Sequence, residues 1–307
     1  MSQKTVAIFG GSGFLGRYLA RELLEKGYAV NIISRTPHRA SEIATAGAVG
    51  QTAFTVGNIR NEDSIRKSIS GAHCVINLTG ILFERGKQRF PAIHAQAAER
   101  IAKLAKETGV KNLVHVSSLG VDRATKSLYA RTKITGEKAV MAAFPKATII
   151  RPSTFFGPED KFFNMFASLL RFSPFMPLIG GGITKFQPVY VVDVAKAIVE
   201  TLENETSKGK IYEFGGPKIY SFKQLLEFIM EKTGHKRMFI PIPFSVAKVH
   251  AAFMELFPVP LVTRDQVTML KTDNVVRETE NTILALGIKP KSIEEIVPGY
   301  LERYKKN

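Results

Sequence analysis

Lys4-Thr-Val-Ala-Ile-Phe-Gly10-Gly-Ser12-Gly13-Phe14-Leu15-Gly16 runs from a short apolar stretch straight into a glycine-rich turn. The spacing predicts a β-strand, a tight turn and a helix that together cradle a dinucleotide. Gly10 permits the turn, Gly13 lets backbone approach a pyrophosphate, and Gly16 lets the next helix pack closely on the sheet. The helix expected over about residues 16–26 would aim its free N–H groups and positive dipole end at the phosphates, with Ser12, Phe14 and Leu15 in the same turn. A glycine triplet alone also serves ordinary strand-to-helix connections, so the surrounding pattern must carry the rest.

A second strand, expected over Ala29–Ser34, ends about 18 residues beyond Gly16, where an NAD site normally offers a carboxylate to the ribose 2′-hydroxyl. Ser34 and Arg35 stand there instead, with Arg39 and Arg17 as further cations. A guanidinium grips a 2′-phosphate through paired charge-assisted hydrogen bonds, so NADP(H) is favoured over NAD(H). The plainer reading of Arg35 is one more cation on a basic surface.

At 307 residues the chain has room for a sheet domain with a smaller attached lobe. A 45% hydrophobic and 23% charged composition suits a packed core and argues against disorder. Cys74 is the single cysteine, so an intramolecular disulfide and a cysteine zinc site are both excluded, and a reducing, cytoplasmic setting is expected. The first strand is expected within about five residues of Met1, which leaves little room for a targeting peptide. No run reaches the roughly 18 apolar residues of a membrane span. The net charge of +16 favours nucleotides, anionic lipid or an acidic partner. Its dispersed cations and the lack of a recognition motif argue against nucleic acid.

Further strands are expected over Thr52–Val56, Cys74–Leu78, Asn112–Ser117 and Thr148–Arg151. Helical patterns lie between them over Asp63–Ser70, Phe90–Thr108 and Tyr129–Phe144. The alternation predicts an α/β fold with a Rossmann-type, doubly wound parallel sheet. Residues 1–151 would form the nucleotide domain, completed by later segments, and 152–307 a smaller substrate or partner lobe. That lobe carries expected helices near Asp193–Asn204, Ser221–Thr233 and up to Leu256. Phe155, Phe156, Phe162, Phe163, Phe166, Phe172 and Phe175 crowd its start beside Lys161, Arg171 and Lys185. Core packing accounts for most of them; an exposed part would suit a membrane surface, a docking partner or an apolar substrate.

Tyr129-Ala-Arg-Thr-Lys133 sets a phenol and an ammonium one helical turn apart on one face. A nearby cation lowers a tyrosine pKa, so the pair suits proton exchange with a carbonyl or alcohol, and Lys133 would also reach the cofactor ribose. The strand before it ends Val116-Ser117-Ser118, and Ser118 is the first choice to hold a substrate oxygen against Tyr129. The same tyrosine–lysine spacing also occurs on plain solvated helices.

Gly10, Gly13, Gly16, Ser118, Tyr129 and Lys133 together resemble the short-chain dehydrogenase/reductase superfamily in its extended or atypical branch. Asn77-Leu78-Thr79-Gly80 is similar to the segment beside the cofactor ribose. Arg151-Pro152-Ser153-Thr154 with Gly157-Pro158 is similar to the segment at the nicotinamide end, and Val191-Val-Asp193 to the family's late helix start. The resemblance implies cofactor contacts from these stretches, Ser117 included. Asn77 as a turn former and Asp193 as a helix cap are the structural alternatives.

Two positions depart from the pattern. His94 stands where relatives offer an asparagine to a proton relay; it is a candidate relay or a packed polar residue. Asn58, before Ile59, stands where an aspartate commonly meets the adenine amino group, and its amide oxygen can replace that acceptor. Pro260-Leu-Val-Thr-Arg-Asp265-Gln266-Val-Thr-Met-Leu270 with Asp273-Asn274-Val-Val276 resembles a narrower group: the nicotinamide-binding accessory subunit of respiratory complex I and its bacterial relatives. That resemblance implies a tightly held NADPH, often structural, and contact with complex I at a membrane.

Three readings therefore stand. One is an NADP-dependent oxidoreductase using Tyr129, Lys133 and Ser118. The second is a non-catalytic accessory or assembly protein of complex I. The third is a nucleotide-sugar epimerase or dehydratase, disfavoured by a second lobe rich in phenylalanine. The small-molecule substrate stays open, as does a homodimer, which no residue forces.

Overall fold

The computed structural model describes residues 3–277 and 281–306. Seven strands, β1 (Thr5–Phe9), β2 (Ala29–Ser34), β3 (Thr52–Val56), β4 (Cys74–Asn77), β5 (Asn112–Val116), β6 (Thr148–Pro152) and β7 (Ile211–Phe214), form one sheet. The order is β3-β2-β1-β4-β5-β6-β7, and every neighbouring pair is parallel. Parallel strands need crossovers, and the helices that provide them cover both faces, so strand residues such as Val6, Ala7, Ile8 and Phe9 are all buried.

On one face α1 (Phe14–Glu25) packs with α6 (Val191–Glu203) over Ile8, Ile32, Val114 and Ile150. On the other lie α2 (Glu62–Ile69), α3 (Ala97–Glu107) and α4 (Leu128–Ala143), over Ala7, Phe9, Val75 and Ile149. The strand order turns back between β1 and β4, which opens a crevice at their carboxyl ends. The single helix expected over 90–108 is two elements, a π-helical turn Pro91–Gln96 and then α3. Such wide turns cluster at functional sites.

A second core belongs to the later half. Phe156, Phe163, Leu170 and Met176 pack there with Phe222 and Leu226 of α7 (Phe222–Thr233), beneath α5 (Phe162–Phe172) and α10 (Ile293–Leu301). Most of the crowded phenylalanines are interior, as their density suggested; Phe172 and Phe175 are exposed. Helix α7 is capped by Ser221 in a reciprocal box with Gln224 and stops at left-handed Gly234. Among the described residues no helix is long and apolar enough to cross a membrane.

Candidate functional site

The turn after β1 has the geometry its glycines suggested. Gly10 has φ +78°, and a Cβ there would lie 3.3 Å from the Leu78 carbonyl carbon, so Leu78–Thr79 forms the opposite wall of the crevice. A Cβ on Gly16 would lie 2.5 Å from the Gly11 carbonyl oxygen, which bars any side chain. Helix α1 begins with no side-chain cap and no acidic residue in its first turn. By contrast α2 is capped by Asn61 and opens with Glu62 and Asp63. The free N–H groups of α1 therefore face the crevice without a competing anion. Leu15 points into the core, so it offers only backbone; Phe14 packs against Gly157.

At the tip of β2 the Ser12 hydroxyl donates to Ser34 Oγ (2.8 Å), which also accepts from Thr36 N (2.9 Å). Arg35 and Arg39 are exposed, and neither has an ion pair among the described residues. Arg17 is committed elsewhere, 3.1 Å from Glu42. Asn58 is exposed, and its Oδ1 accepts from Arg60 N (3.1 Å) in a local turn; Ile59 is partly buried against the α2–α3 core.

Asn77 is a turn former: its Oδ1 accepts from Thr79 N (3.1 Å) and Thr79 Oγ1 (2.5 Å), while its Nδ2 meets His115 Nδ1 (3.1 Å). Gly80, at the crevice mouth, sits over Lys133; a Cβ there would lie 3.4 Å from Nζ. Lys133 is buried and donates to the Val116 carbonyl (3.2 Å). Burial brings its pKa from 10.5 down to about 8, against the pull of the Glu137 carboxylate one turn away. That carboxylate is held by Arg151, with Nη2 to Oε2 at 2.7 Å. The buried Ser117 hydroxyl, next in sequence to the Val116 carbonyl, has no partner among the described residues. A buried cation, an unpartnered hydroxyl and a glycine cradle fit a nicotinamide dinucleotide lying from Gly13 to Ser117.

Tyr129 is half-buried with Ser118 near enough to act on its phenol, and Lys133 lies one turn further along the same helix. The expected lowering of the phenol pKa is not what the packing produces. Burial pushes it up, the Ser118 hydrogen bond pulls the other way, and the Asp265 carboxylate raises it further. The Lys133 ammonium is turned to the Val116 carbonyl instead.

His94 is packed and hydrogen-bonded at both ring nitrogens. Its Nε2 accepts from Ile81 N (3.1 Å), which leaves Nδ1 as the protonated nitrogen, donating to Thr132 Oγ1 (3.1 Å). The ring stacks on Phe90 and meets Tyr129 edge-on, and burial with the nearby Lys133 charge takes its pKa down to about 2. His94 is thus a neutral wedge fixing the Tyr129 helix.

Pro152, Ser153 and Thr154 lie at the edge of the site, but the Pro152 carbonyl, the Ser153 hydroxyl and the Thr154 backbone are taken. The Pro152 carbonyl accepts from Leu119 N (2.9 Å). Asn274 Oδ1 accepts from Ser153 Oγ (2.6 Å) and Thr154 N (3.2 Å), while its Nδ2 donates to the Leu119 carbonyl (2.9 Å). Asp265, from α9 (Arg264–Met269), reaches across to α4: Ser127 Oγ (2.6 Å), Leu128 N (2.7 Å) and Tyr129 N (3.1 Å) all donate to it. The late stretch that carried the narrower resemblance is therefore a strap over the site. Its asparagine and aspartate were quoted in the sequence pattern, but nothing local marked them as clamps.

Asp265→Ala is expected to lower stability by about 2–4 kcal/mol, because it strands donors at a helix start and removes a charge favourable there. Urea unfolding of the two proteins measures this; equal midpoints would deny the clamp. An ionic cluster running from buried Arg151 and Glu137 to exposed Arg277 anchors the strap from behind. Arg151 pairs with Glu137 and Asp122, and Arg277 with Asp122 and Glu213 (2.5–2.9 Å).

This fold and crevice define a class. The chain belongs to the NAD dependent epimerase/dehydratase family, matched over residues 6–215, within the extended short-chain dehydrogenase/reductase superfamily. At full length it is similar to the mitochondrial NADH dehydrogenase [ubiquinone] 1 alpha subcomplex subunit 9 of Arabidopsis thaliana, with 36% identity covering 97% of this chain and 77% of that protein. The Mus musculus protein of the same name is 35% identical over 96% of this chain and 78% of its own length. Among solved structures, Thermus thermophilus UDP-glucose 4-epimerase in complex with NAD superposes with TM-score 0.73 at 18% identity, covering 98% of each chain. That likeness shows the fold.

Proposed function

We propose that this protein is an accessory subunit or assembly partner of respiratory complex I that holds NADPH as part of its structure. The observation that carries the reading is the 36% identity running over 97% of the chain, strap included, to a protein named as a subunit of that complex. The site geometry supports a holding role. Gly10, Gly13 and Gly16 would cradle the pyrophosphate, Lys133 and Ser117 the nicotinamide ribose, and Ser34, Arg35 and Arg39 a 2′-phosphate. A bound NADPH would supply hydride chemistry, and burial raises the phenol pKa, so Tyr129 stands as a proton donor and not as a phenolate base.

A tagged protein purified from detergent-solubilised membranes at low salt should bring complex I subunits with it; their absence would overturn the assignment. In thermal shift, NADPH should raise the melting point more than NADH, and Arg35→Ala should narrow the difference. Larger stabilisation by NADH would reject the 2′-phosphate site.

A second reading, an NADP-dependent carbonyl reductase, is favoured by Ser118 lying near enough to the Tyr129 phenol to lower its pKa. In that case Tyr129 would give its proton to the substrate oxygen while Ser118 holds it. Tyr129→Phe separates the two: loss of carbonyl reduction with NADPH retained supports catalysis, and unchanged complex I recovery supports the accessory role.

A further inference from the structure

We propose that α8 (Phe244–Met254) and the turn after it form a membrane-docking ridge that seats in the interfacial layer of an anionic bilayer. The helix has its apolar faces reversed relative to a water-soluble surface helix. Small residues, Ala247 and Ala251, face the body and pack with Val267. The large ones, Val246, Val249 and Phe253, face outward, and Leu256 and Phe257 extend the row through the closing turn. At about 100° per residue these five side chains fall within a single arc of the helix. Phe253 is 61% exposed and Leu256 81% exposed, and Leu261 follows at 70%. An outward row of this kind on one short helix marks a contact surface.

Charge selects the occupant. From residue 235 to 263 the sequence holds one acid, Glu255, and it is consumed by Arg264, which donates from its backbone (2.7 Å) and its guanidinium (2.8 Å). Lys236 and Lys248 lie in the same stretch, Arg237 there gives its guanidinium to the Leu170 carbonyl, and Lys271 places its ammonium 5.1 Å from the Phe244 ring. Cations with no free carboxylate among them complement lipid phosphates, while the outward row projects as a ridge that can enter acyl chains. An eleven-residue helix is too short to span a bilayer, so it would lie in the plane of the interface. The phenylalanine-rich stretch 155–175, which the sequence offered for this role, is mainly interior apart from Phe172 and Phe175; the outward row of α8 lies some eighty residues later.

This inference concerns a different face from the nucleotide crevice and stands without any complex I assignment. The full-length protein, free of other subunits, is sedimented with phosphatidylglycerol–phosphatidylcholine vesicles and with phosphatidylcholine vesicles alone. Binding to the anionic vesicles is expected, weakened by high salt. Phe253→Ser combined with Leu256→Ser should reduce it about tenfold while melting point and NADPH response stay unchanged. Lack of binding to anionic vesicles, or binding indifferent to the double substitution, overturns the proposal. So does a self-associating wild type that becomes monomeric in the variant without any lipid binding, which would assign the ridge to a second copy of this chain.

Discussion

Gly136→Ala is expected to cost about 3 kcal/mol or more and to displace the helix that carries the site. Gly136 lies in the middle of α4, where the π-helical turn crosses it, and an added Cβ would sit 1.9 Å from the His94 carbonyl oxygen. That neighbour is backbone, and it is braced by the His94 ring between Ile81 N and Thr132. A flexible side chain could swing aside; a carbonyl held this way forces α4 outward, taking Tyr129 and Lys133 with it. Urea unfolding should show the loss, and NADPH should no longer raise the melting point. Gly299→Ala in α10 is the control: it is also a helical glycine, but nothing lies within 4 Å of its Cβ position. That substitution should be neutral or stabilising by up to about 1 kcal/mol. Equal behaviour of the two variants would mean the helix crossing is not close-packed.

Lys133→Met should move stability and cofactor binding in opposite directions. The buried ammonium has one carbonyl as its hydrogen-bond acceptor, and the carboxylate nearest in sequence is bound to Arg151. Its folded-state pKa of about 8 lies below the ordinary 10.5, so between those values the unfolded chain keeps a proton the folded chain has released. Stability attributable to this residue therefore rises with pH across that window, and the charge burden is at its full size below it. A methionine removes the burden, and the ligand-free variant should gain about 2 kcal/mol near pH 7, a gain that shrinks toward pH 10. NADPH affinity should fall about 10–100-fold through loss of a charged hydrogen-bond donor. Unfolding curves at several pH values and calorimetric titration with NADPH test both halves. A variant destabilised at pH 7, or one that binds NADPH as tightly as before, would remove Lys133 from the role given to it.

Much of the framework follows from short-range rules. The glycine turn is steric: Gly10 needs a positive φ and Gly16 tolerates no Cβ, and both demands are met within a few residues of chain. The first six strands and the helices between them show as apolar runs and helical spacings, because a sheet covered on both faces buries its inner strands throughout; only the edge strand Thr52–Val56 has no buried residue. The last strand, Ile211–Phe214, is four residues without a flanking repeat, and only its pairing with β6 distinguishes it. Helical spacing likewise aligns Tyr129 with Lys133 through the local periodicity of the chain.

What those side chains do there is decided by partners distant in the chain. The phenol pKa is set by burial and by Asp265, more than a hundred residues away, and not by the lysine four residues on. His94 is neutral because burial and the Lys133 charge oppose its protonation, while Ile81 and Thr132 fix its ring; Ser153 is taken by Asn274. The outward face of α8 is a tertiary outcome too, since the same residues would read as core had the helix turned by half a revolution. Sequence alone determined the glycine turn, the alternating sheet and the shared helix face of Tyr129 and Lys133, for these rest on local sterics and periodicity. Tertiary structure decided charge state, hydrogen-bond occupancy and which apolar face meets the outside, because desolvation and long-range contacts exist only once the chain has packed.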